Sequence, residues 1–247
     1  MIELNRILGA DYFIFYNISS DRNIKRILHH YKAQGLGEII QWDLPRKVTF
    51  LDWFLNFFNK EKIHYHGQIA AINDCMYRNK GVSRFVVNQD LDEFIIPREH
   101  ESWSELISHL PSDSSSFVFR STIFRKDWSE TRNTISFGED SKDALKFGSI
   151  TILKQFREKR IFPFDQRSKY IVRPECIISS DIHYITEHKA EKSCGNYKVP
   201  ESLALVHHYR NVLSYLAPSL LIKDDRINIF KSRLLKRLHN KWDLLMN

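Results

Sequence analysis

The chain has 247 residues, of which 43% are hydrophobic, and it can therefore bury one sizeable core. Its few glycines and prolines mark no low-complexity linker, and no apolar run reaches the ~18 residues of a membrane span. The composition excludes a disordered chain and predicts a soluble one as written. Lys and Arg exceed Asp and Glu by 37 − 30 = 7. This excess favours anionic partners, but no base-reading motif accompanies it, so nucleic acid is not expected.

Three scattered cysteines are too few for a disulfide framework or a CxxC zinc site. One bridge, Cys176 to Cys194, is compatible with an oxidising lumen, although sequence alone does not establish its geometry. Cys75 is interpreted as a buried helix residue.

The first predicted unit is βαβ. Residues 11–16 form a continuous aromatic and β-branched run, typical of a strand buried on both faces. A helix follows, capped by Ser19 or Ser20 and ended by Gly35, and residues 39–42 supply a second strand. Ligands gather at the carboxyl ends of such strands. Asn17 and Asp43 are therefore candidates for contact with a nucleotide.

The third predicted strand carries the most informative motif. The aromatic-rich residues 44–65 predict a short helix across the sheet, and residues 68–79 predict another helix with Gly81 just past its end. Residues 84–89 then read as a buried strand that delivers Asp90 and Asp92 at its carboxyl end.

The pattern changes after Pro97. One helix is predicted at 102–110, and shorter strand-like runs follow at 117–119, 149–153, 170–172 and 204–206. The basic stretch from Lys223 to Lys241 has apolar residues at helical spacing, which favours a packed amphipathic helix over membrane-surface contact. We expect a single domain with a nucleotide-binding half (1–97) and an acceptor-side half with the C-terminal helix (98–247), sharing one continuous sheet.

Two carboxylates at i and i+2 where a strand ends can hold one hard divalent cation. Such a cation neutralises the charge that develops on a departing diphosphate. A bare DxD is common in solvated turns, so the argument for Asp90 and Asp92 rests on their position after the buried strand.

Four segments in order resemble glycosyltransferase family 92 over nearly the whole chain. They are His66-Gly67-Gln68-Ile69-Ala70-Ala71-Ile72-Asn73-Asp74-Cys75, Asp90-Leu91-Asp92-Glu93-Phe94-Ile95-Ile96-Pro97, Arg167-Ser168-Lys169-Tyr170-Ile171-Val172-Arg173-Pro174 and His207-His208-Tyr209-Arg210. The resemblance implies an α/β fold of the GT-A type, with a Rossmann-like mixed central sheet flanked by helices. It also implies inverting transfer of a hexose, often galactose, from a UDP-sugar to a glycan or glycoprotein acceptor, with Mn²⁺ or Mg²⁺. The implied location is the lumenal side of the Golgi membrane, reached through an anchor that this chain does not contain.

The resemblance also implies roles for individual residues. Asp90 and Asp92 would form the metal-binding pair, and Glu93 would orient the acceptor or hold the loop. A late histidine would add a metal ligand. Adjacent strand residues point to opposite faces, so only one of His207 and His208 should reach it, with His207 slightly preferred; His183 is a weaker alternative.

Further candidates stay open. Lys169, Arg167 and Arg173 are placed to meet the donor diphosphate, or else to form a solvated strand edge. Trp128 would stack on the acceptor. The base that deprotonates its hydroxyl is left open among four carboxylates on one stretch, namely Asp127, Asp140, Glu139 and Asp143. Glu93 is a catalytic candidate through its role toward the acceptor.

One departure from the family pattern concerns the start of the fold. Family members begin with a strand and a Glu-bearing loop, and Met1 here falls inside the helix that follows them. The expectation is therefore a missing first strand, either because the sequence is a fragment or because this is a degenerate relative. The second reading makes the chain a non-catalytic glycan- or nucleotide-binding remnant.

Overall fold

The computed structural model describes residues 1–43, 67–128, 139–212 and 220–246. The helix predicted within 44–65 lies outside the described residues. In residues 1–97 the elements are α1 Ile2–Leu8, β1 Phe13–Asn17, α2 Arg22–Ala33, β2 Gly37–Gln41, α3 Gln68–Arg78, β3 Val86–Asn88 and β4 Glu93–Pro97.

The second half of the chain carries shorter elements. They are α4 Trp103–Ser108, β5 Ser116–Phe119, β6 Ser121–Arg125, α5 Glu139–Lys146, α6 Ile150–Leu153, β7 Phe156–Glu158, β8 Lys169–Val172, a 3₁₀ turn at Pro174–Cys176, β9 Ile177–Ser180, β10 Ile185–His188, β11 Asn196–Lys198, β12 Ala204–Arg210, β13 Leu221–Lys223 and α7 Asn228–Met246. Among the described residues, no helix is long and apolar enough to cross a membrane.

The predicted βαβ unit is confirmed. β1 and β2 pair in parallel, from Phe13 opposite Gly37 to Asn17 opposite Gln41. Two details of the prediction are wrong. The cap of α2 is Asp21, whose side chain accepts a hydrogen bond from the Ile24 amide. The residues of β1 are half-buried, and within the described ranges β1 pairs only with β2.

The predicted continuous sheet is wrong, because the strands form four hydrogen-bonded sheets in the described ranges. A four-stranded sheet has the order β11-β5-β8-β3, and a five-stranded sheet has the order β13-β7-β6-β12-β4. β9 and β10 pair separately, as β1 and β2 do. The third predicted strand, β3, is antiparallel to β8 and does not extend the βαβ pair.

The run 149–153, predicted as a strand, is the short helix α6. A short apolar run does not distinguish a strand from a buried helical turn, and packing decides. Here Ile152 is buried in the main core and the Leu153 amide donates to the Ser149 carbonyl.

Two apolar clusters hold the sheets in place. The larger one packs β4, β6 and β12 against α1, α4 and α7, and includes Ile95, Phe124, Val206 and Phe230. The smaller one packs Met76 of α3 on the four-stranded sheet. The site described below lies where β3 passes into β4, so it is supported by both sheets.

The basic C-terminal helix is packed, as predicted, although it begins at Asn228 and not at Lys223. Leu234 and Leu235 are buried in the core, while Arg237 pairs with Glu3 of α1 at 3.3 Å. Its charges therefore serve contacts within the chain. The predicted bridge is present as a disulfide between Cys176 and Cys194, whose Cα atoms are 5.2 Å apart, whereas Cys75 is half-buried.

Candidate active site

The turn that links β3 to β4 carries three carboxylates. The Glu93 amide donates to the Asp90 carbonyl at 3.1 Å, and the Asp90 amide donates to Glu93 Oε2 at 3.2 Å. This reciprocal pair fixes the turn. The side chains of Asp90 and Asp92 are 40% and 39% exposed, whereas that of Glu93 is 1% exposed. Two carboxylates therefore face solvent, and the third lies beneath them.

Side chains from three other elements converge on this turn. Gln68, the first residue of α3, donates to Asp90 Oδ1 at 3.1 Å. Lys169 Nζ, at the start of β8, lies 3.2 Å from Asp90 Oδ2 and 3.1 Å from Glu93 Oε2. His208 of β12 approaches the same turn, because β12 and β4 pair with His208 opposite Glu93.

His208 lies between two carboxylates. Its Nε2 is 3.6 Å from Asp92 Oδ2, and its Nδ1 is 3.1 Å from Glu93 Oε1, in a contact poorly aligned for a hydrogen bond. The Tyr209 amide also donates to the Asp92 carbonyl at 2.9 Å. The strand β12 therefore fixes both the backbone of Asp92 and the imidazole beside it.

The carboxylates of the turn have different electrostatic environments. The interaction with His208 lowers the pKa of Asp92 below its usual value, so Asp92 is ionised at neutral pH. Burial raises the pKa of Glu93, and Lys169 opposes that rise. The buried carboxylate of Glu93 therefore depends on the positive charge of Lys169 for its stabilisation.

His208, and not the preferred His207, faces the carboxylates. His207 pairs with Phe94 of β4 and is fully buried. Its ring stacks on Phe124 with centroids 4.2 Å apart. Adjacent strand residues point to opposite faces, and the register with β4 turns His207 into the core. His183, the weaker alternative, contacts the Ser168 carbonyl at 3.2 Å, and burial together with the nearby Lys169 ammonium lowers its pKa.

The turn also borders a groove. A cavity of 1210 Å³ is lined by Asp90 and Leu91, by residues 12–15 next to and within β1, by residues 85–87, and by Trp103 of α4. Asp90 can therefore be reached by a ligand of moderate size.

Asn17 and Asp43 lie together, as predicted, at the carboxyl ends of β1 and β2. Gln41 joins them: it accepts from Asn17 Nδ2 at 3.2 Å and donates to Asp43 Oδ1 at 3.1 Å. Tyr16 of β1 donates to Asp74 of α3 at 2.7 Å. The same helix thus contacts β1 through Asp74 and the Asp90 turn through Gln68.

The three predicted diphosphate contacts are not brought together. Lys169 is fully buried against Asp90 and Glu93. Arg173 follows the other end of β8, where its guanidinium lies 5.6 Å from the Phe85 ring centroid and lines both the 1210 Å³ cavity that Asp90 borders and a second cavity of 470 Å³. Arg167 lies against Phe162, 5.1 Å from its ring centroid. The structure does not show a shared cation cluster.

The candidate bases are engaged elsewhere where their side chains are described. Asp127 pairs with Arg125, which lowers its pKa to about 2 and makes it a weak proton acceptor. Asp140 pairs with Lys231 at 2.8 Å and Asp143 with His239 at 2.7 Å, both across the contact of α5 with α7. Glu139 begins α5, and its side chain lies outside the described part. The backbone carbonyl of Trp128 accepts a hydrogen bond from Lys154 Nζ. This contact does not involve the Trp128 ring and does not fix its orientation.

Gln68 was not predicted as a site residue. The sequence feature that could have indicated Gln68 is its place in the first of the four segments, at the start of a helix whose predicted position is confirmed. The contact with Asp90 spans 22 residues and depends on how α3 packs on β3.

The cation-binding capacity follows from the residue types. Within the described ranges, no three His, Cys, Asp or Glu side chains already converge as a cation site. Asp90, Asp92 and His208 nevertheless offer hard oxygens and an imidazole, a donor set that suits Mn²⁺. Glu93 lies behind His208 Nδ1 and leaves Nε2 directed to Asp92; a carboxylate in this position commonly orients a metal-binding histidine. The residues therefore fit a divalent cation.

Comparison with known proteins gives this arrangement its context. The sequence model of glycosyltransferase family 92 matches residues 1–242. The chain belongs to this family. It is similar to "Beta-1,4-galactosyltransferase galt-1" of Caenorhabditis elegans, with 26% identity over 216 residues, which are 85% of this chain and 43% of the relative. It is also similar to "Glycosyltransferase family 92 protein F13G3.3" of the same organism, with 26% identity over 119 residues, which are 48% of this chain and 23% of the relative.

Family membership confirms the resemblance drawn from the four segments. The mixed α/β architecture agrees with a glycosyltransferase domain. The chain spans less than half the length of either relative.

Proposed function

We propose that this chain is the catalytic domain, of GT-A type, of a metal-dependent hexosyltransferase. It would move a hexose, galactose in our proposal, from a UDP-sugar to a hydroxyl of a glycan or glycoprotein. The observation that carries the proposal is the turn of Asp90 and Asp92 beside His208, in a chain that belongs to family 92. The similarity to a relative named as a galactosyltransferase supports the choice of sugar.

The proposed roles follow from exposure and contacts. Asp90, Asp92 and His208 would hold Mn²⁺ or Mg²⁺, which when bound supplies a Lewis acid for the leaving diphosphate. Asp92 is ionised and accessible, as a ligand must be. Glu93 is too deeply buried to touch an acceptor and instead holds the turn and His208, which is one of its two predicted roles.

The donor end of the site is assigned by position. Asn17 and Asp43, joined through Gln41, lie at the strand ends where a nucleotide binds in open α/β sheets. The weak basicity of Asp127 argues against it as the base, and Asp140 is held by Lys231. The proposal therefore leaves the proton acceptor unassigned.

The proposed location is the lumenal side of the Golgi membrane. The disulfide between Cys176 and Cys194 supports an oxidising compartment, because such bonds persist there and are rare in the cytosol.

The test is sugar transfer by protein purified from a secretory expression host. UDP-galactose and other UDP-hexoses are offered with galactosylated and fucosylated acceptors, with Mn²⁺ and with chelator. Turnover that requires Mn²⁺ and favours UDP-galactose is expected. Binding of UDP or glycan without turnover would instead support the non-catalytic reading, and no binding of either would refute both.

A further inference from the structure

Lys169 is a fully buried cation held between two carboxylates of the site. Its exposed fraction is 0%, and its Nζ lies 3.2 Å from Asp90 Oδ2 and 3.1 Å from Glu93 Oε2. An ammonium without access to solvent cannot reach a diphosphate outside the turn. Its partners are therefore the two carboxylates, and the predicted contact with the donor is not what its position serves.

The segment before Lys169 is shaped to place it there. Asp165 and Arg167 both have positive φ, 67° and 59°, a conformation that non-glycine residues rarely adopt. The Asp165 amide donates to Ser168 Oγ at 3.0 Å, which closes this turn. β8 then begins at Lys169 and pairs with β5, with Phe119 opposite Lys169. This strained turn therefore leads directly into the buried ammonium.

The charge of Lys169 has two electrostatic effects at the site, one on Glu93 and one on a cation at Asp90. The ammonium compensates the buried charge of Glu93, which would otherwise be costly. It also occupies one oxygen of Asp90 and repels a second positive charge nearby. Both effects act on the site before any substrate arrives.

We propose that Lys169 is a built-in counter-ion that positions Asp90 and Glu93 in the metal-free site and weakens the affinity of that site for a divalent cation. This inference rests on the proposed function, since it takes Asp90 as a metal ligand. Lys169 is thus a positioning residue that touches neither donor nor acceptor. A cation that binds must draw Asp90 away from the Lys169 ammonium, while Glu93 stays paired with that ammonium.

The experiment is calorimetric titration of the intact protein with Mn²⁺ alone, without nucleotide. Lys169→Met removes the charge and keeps the length of the side chain. We expect Mn²⁺ to bind about tenfold more tightly to this variant, because a unit charge a few ångströms from the ion is removed even at an effective dielectric constant of ~20. We also expect a lower melting temperature without metal and a larger rise on adding Mn²⁺.

A matched pair of variants protects the test against misfolding. Glu93→Gln keeps the side-chain shape beside His208 but removes the buried negative charge, so Lys169→Met combined with it leaves no unpaired buried charge. The double variant should bind Mn²⁺ about tenfold more tightly than Glu93→Gln alone. A role in folding only would change the melting temperatures and leave both affinities equal.

The outcomes separate this inference from the proposed function. Tighter Mn²⁺ binding on removal of Lys169, in either pair, supports it, including a case where only the variant binds measurably. Equal binding within both pairs overturns the counter-ion role and leaves the metal-dependent function standing. No Mn²⁺ binding by any of the four proteins overturns both.

Discussion

Replacing Asp92 by Asn tests the metal assignment with little risk to the fold. Asn keeps the shape of the side chain and its ability to form turns, but it loses the charge. Asp92 is 39% exposed and lies 3.6 Å from His208, so its ion pair is of the exposed kind, worth at most about 1 kcal/mol. The melting temperature should therefore change by only a few degrees.

The rate should respond far more strongly. Loss of one charged ligand removes at least about 2 kcal/mol of transition-state stabilisation, which is roughly thirtyfold in turnover. The assay measures initial rates of transfer from a UDP-hexose across a Mn²⁺ series, together with Mn²⁺ affinity by calorimetry. Asp113→Asn, at an exposed aspartate in the loop between α4 and β5, is the matched control and should behave as wild type.

Wild-type turnover and Mn²⁺ affinity in the Asp92→Asn protein would refute the reasoning. A drop in turnover accompanied by an equal loss of folded protein would refute it as well, because the argument requires the fold to survive.

Three further predictions concern stability. Burial lowers the pKa of His207 to about 3, so on acidification the unfolded chain takes up a proton near pH 6.5 at this residue while the native chain does not. The free energy of unfolding should therefore fall by about 2 kcal/mol between pH 7 and pH 5. In urea unfolding, a His207→Phe variant should lose this acid dependence. Asp224→Asn breaks buried pairs with two arginines and should cost about 3 kcal/mol in the same measurement, whereas the matched Asp225→Asn, at an exposed pair, should cost less than about 1 kcal/mol; similar losses would contradict this. Reduction of the Cys176–Cys194 bridge, which closes an 18-residue separation, should lower stability by about 3 kcal/mol, and an unchanged melting temperature with reductant would count against a structural role.

Local patterns predicted the parts of the site that depend on neighbours in sequence. The apolar run before Asp90 placed the carboxylates at a strand end, although only Val86 of β3 is buried, and the βαβ pattern placed Asn17 and Asp43 at one edge. Both follow from side-chain periodicity and from the ends of elements. The two-stranded sheet they belong to did not follow, since no local pattern determines which strands share hydrogen bonds.

Long-range pairing decided the residues that sequence reasoning misplaced. The alternation of a strand required that only one of His207 and His208 reach the turn, but the choice depends on the register of β12 with β4, more than a hundred residues earlier. Lys169 appeared free to bind phosphate because its neighbours in sequence include Arg167 and Arg173. Its burial comes from the packing of β8 beside β3.

The formal charges of the site add a further argument for a divalent cation. Asp90, Asp92 and Glu93 carry three negative charges when ionised, and Lys169 compensates one of them. The other two charges lie on the exposed side, where Asp90 and Asp92 face solvent. A single divalent ion neutralises both, and a neutral imidazole is the form that ligates metal. Lys169 and a divalent cation thus have complementary roles. The lysine compensates the buried charge of Glu93, and the cation would compensate the exposed charges of Asp90 and Asp92.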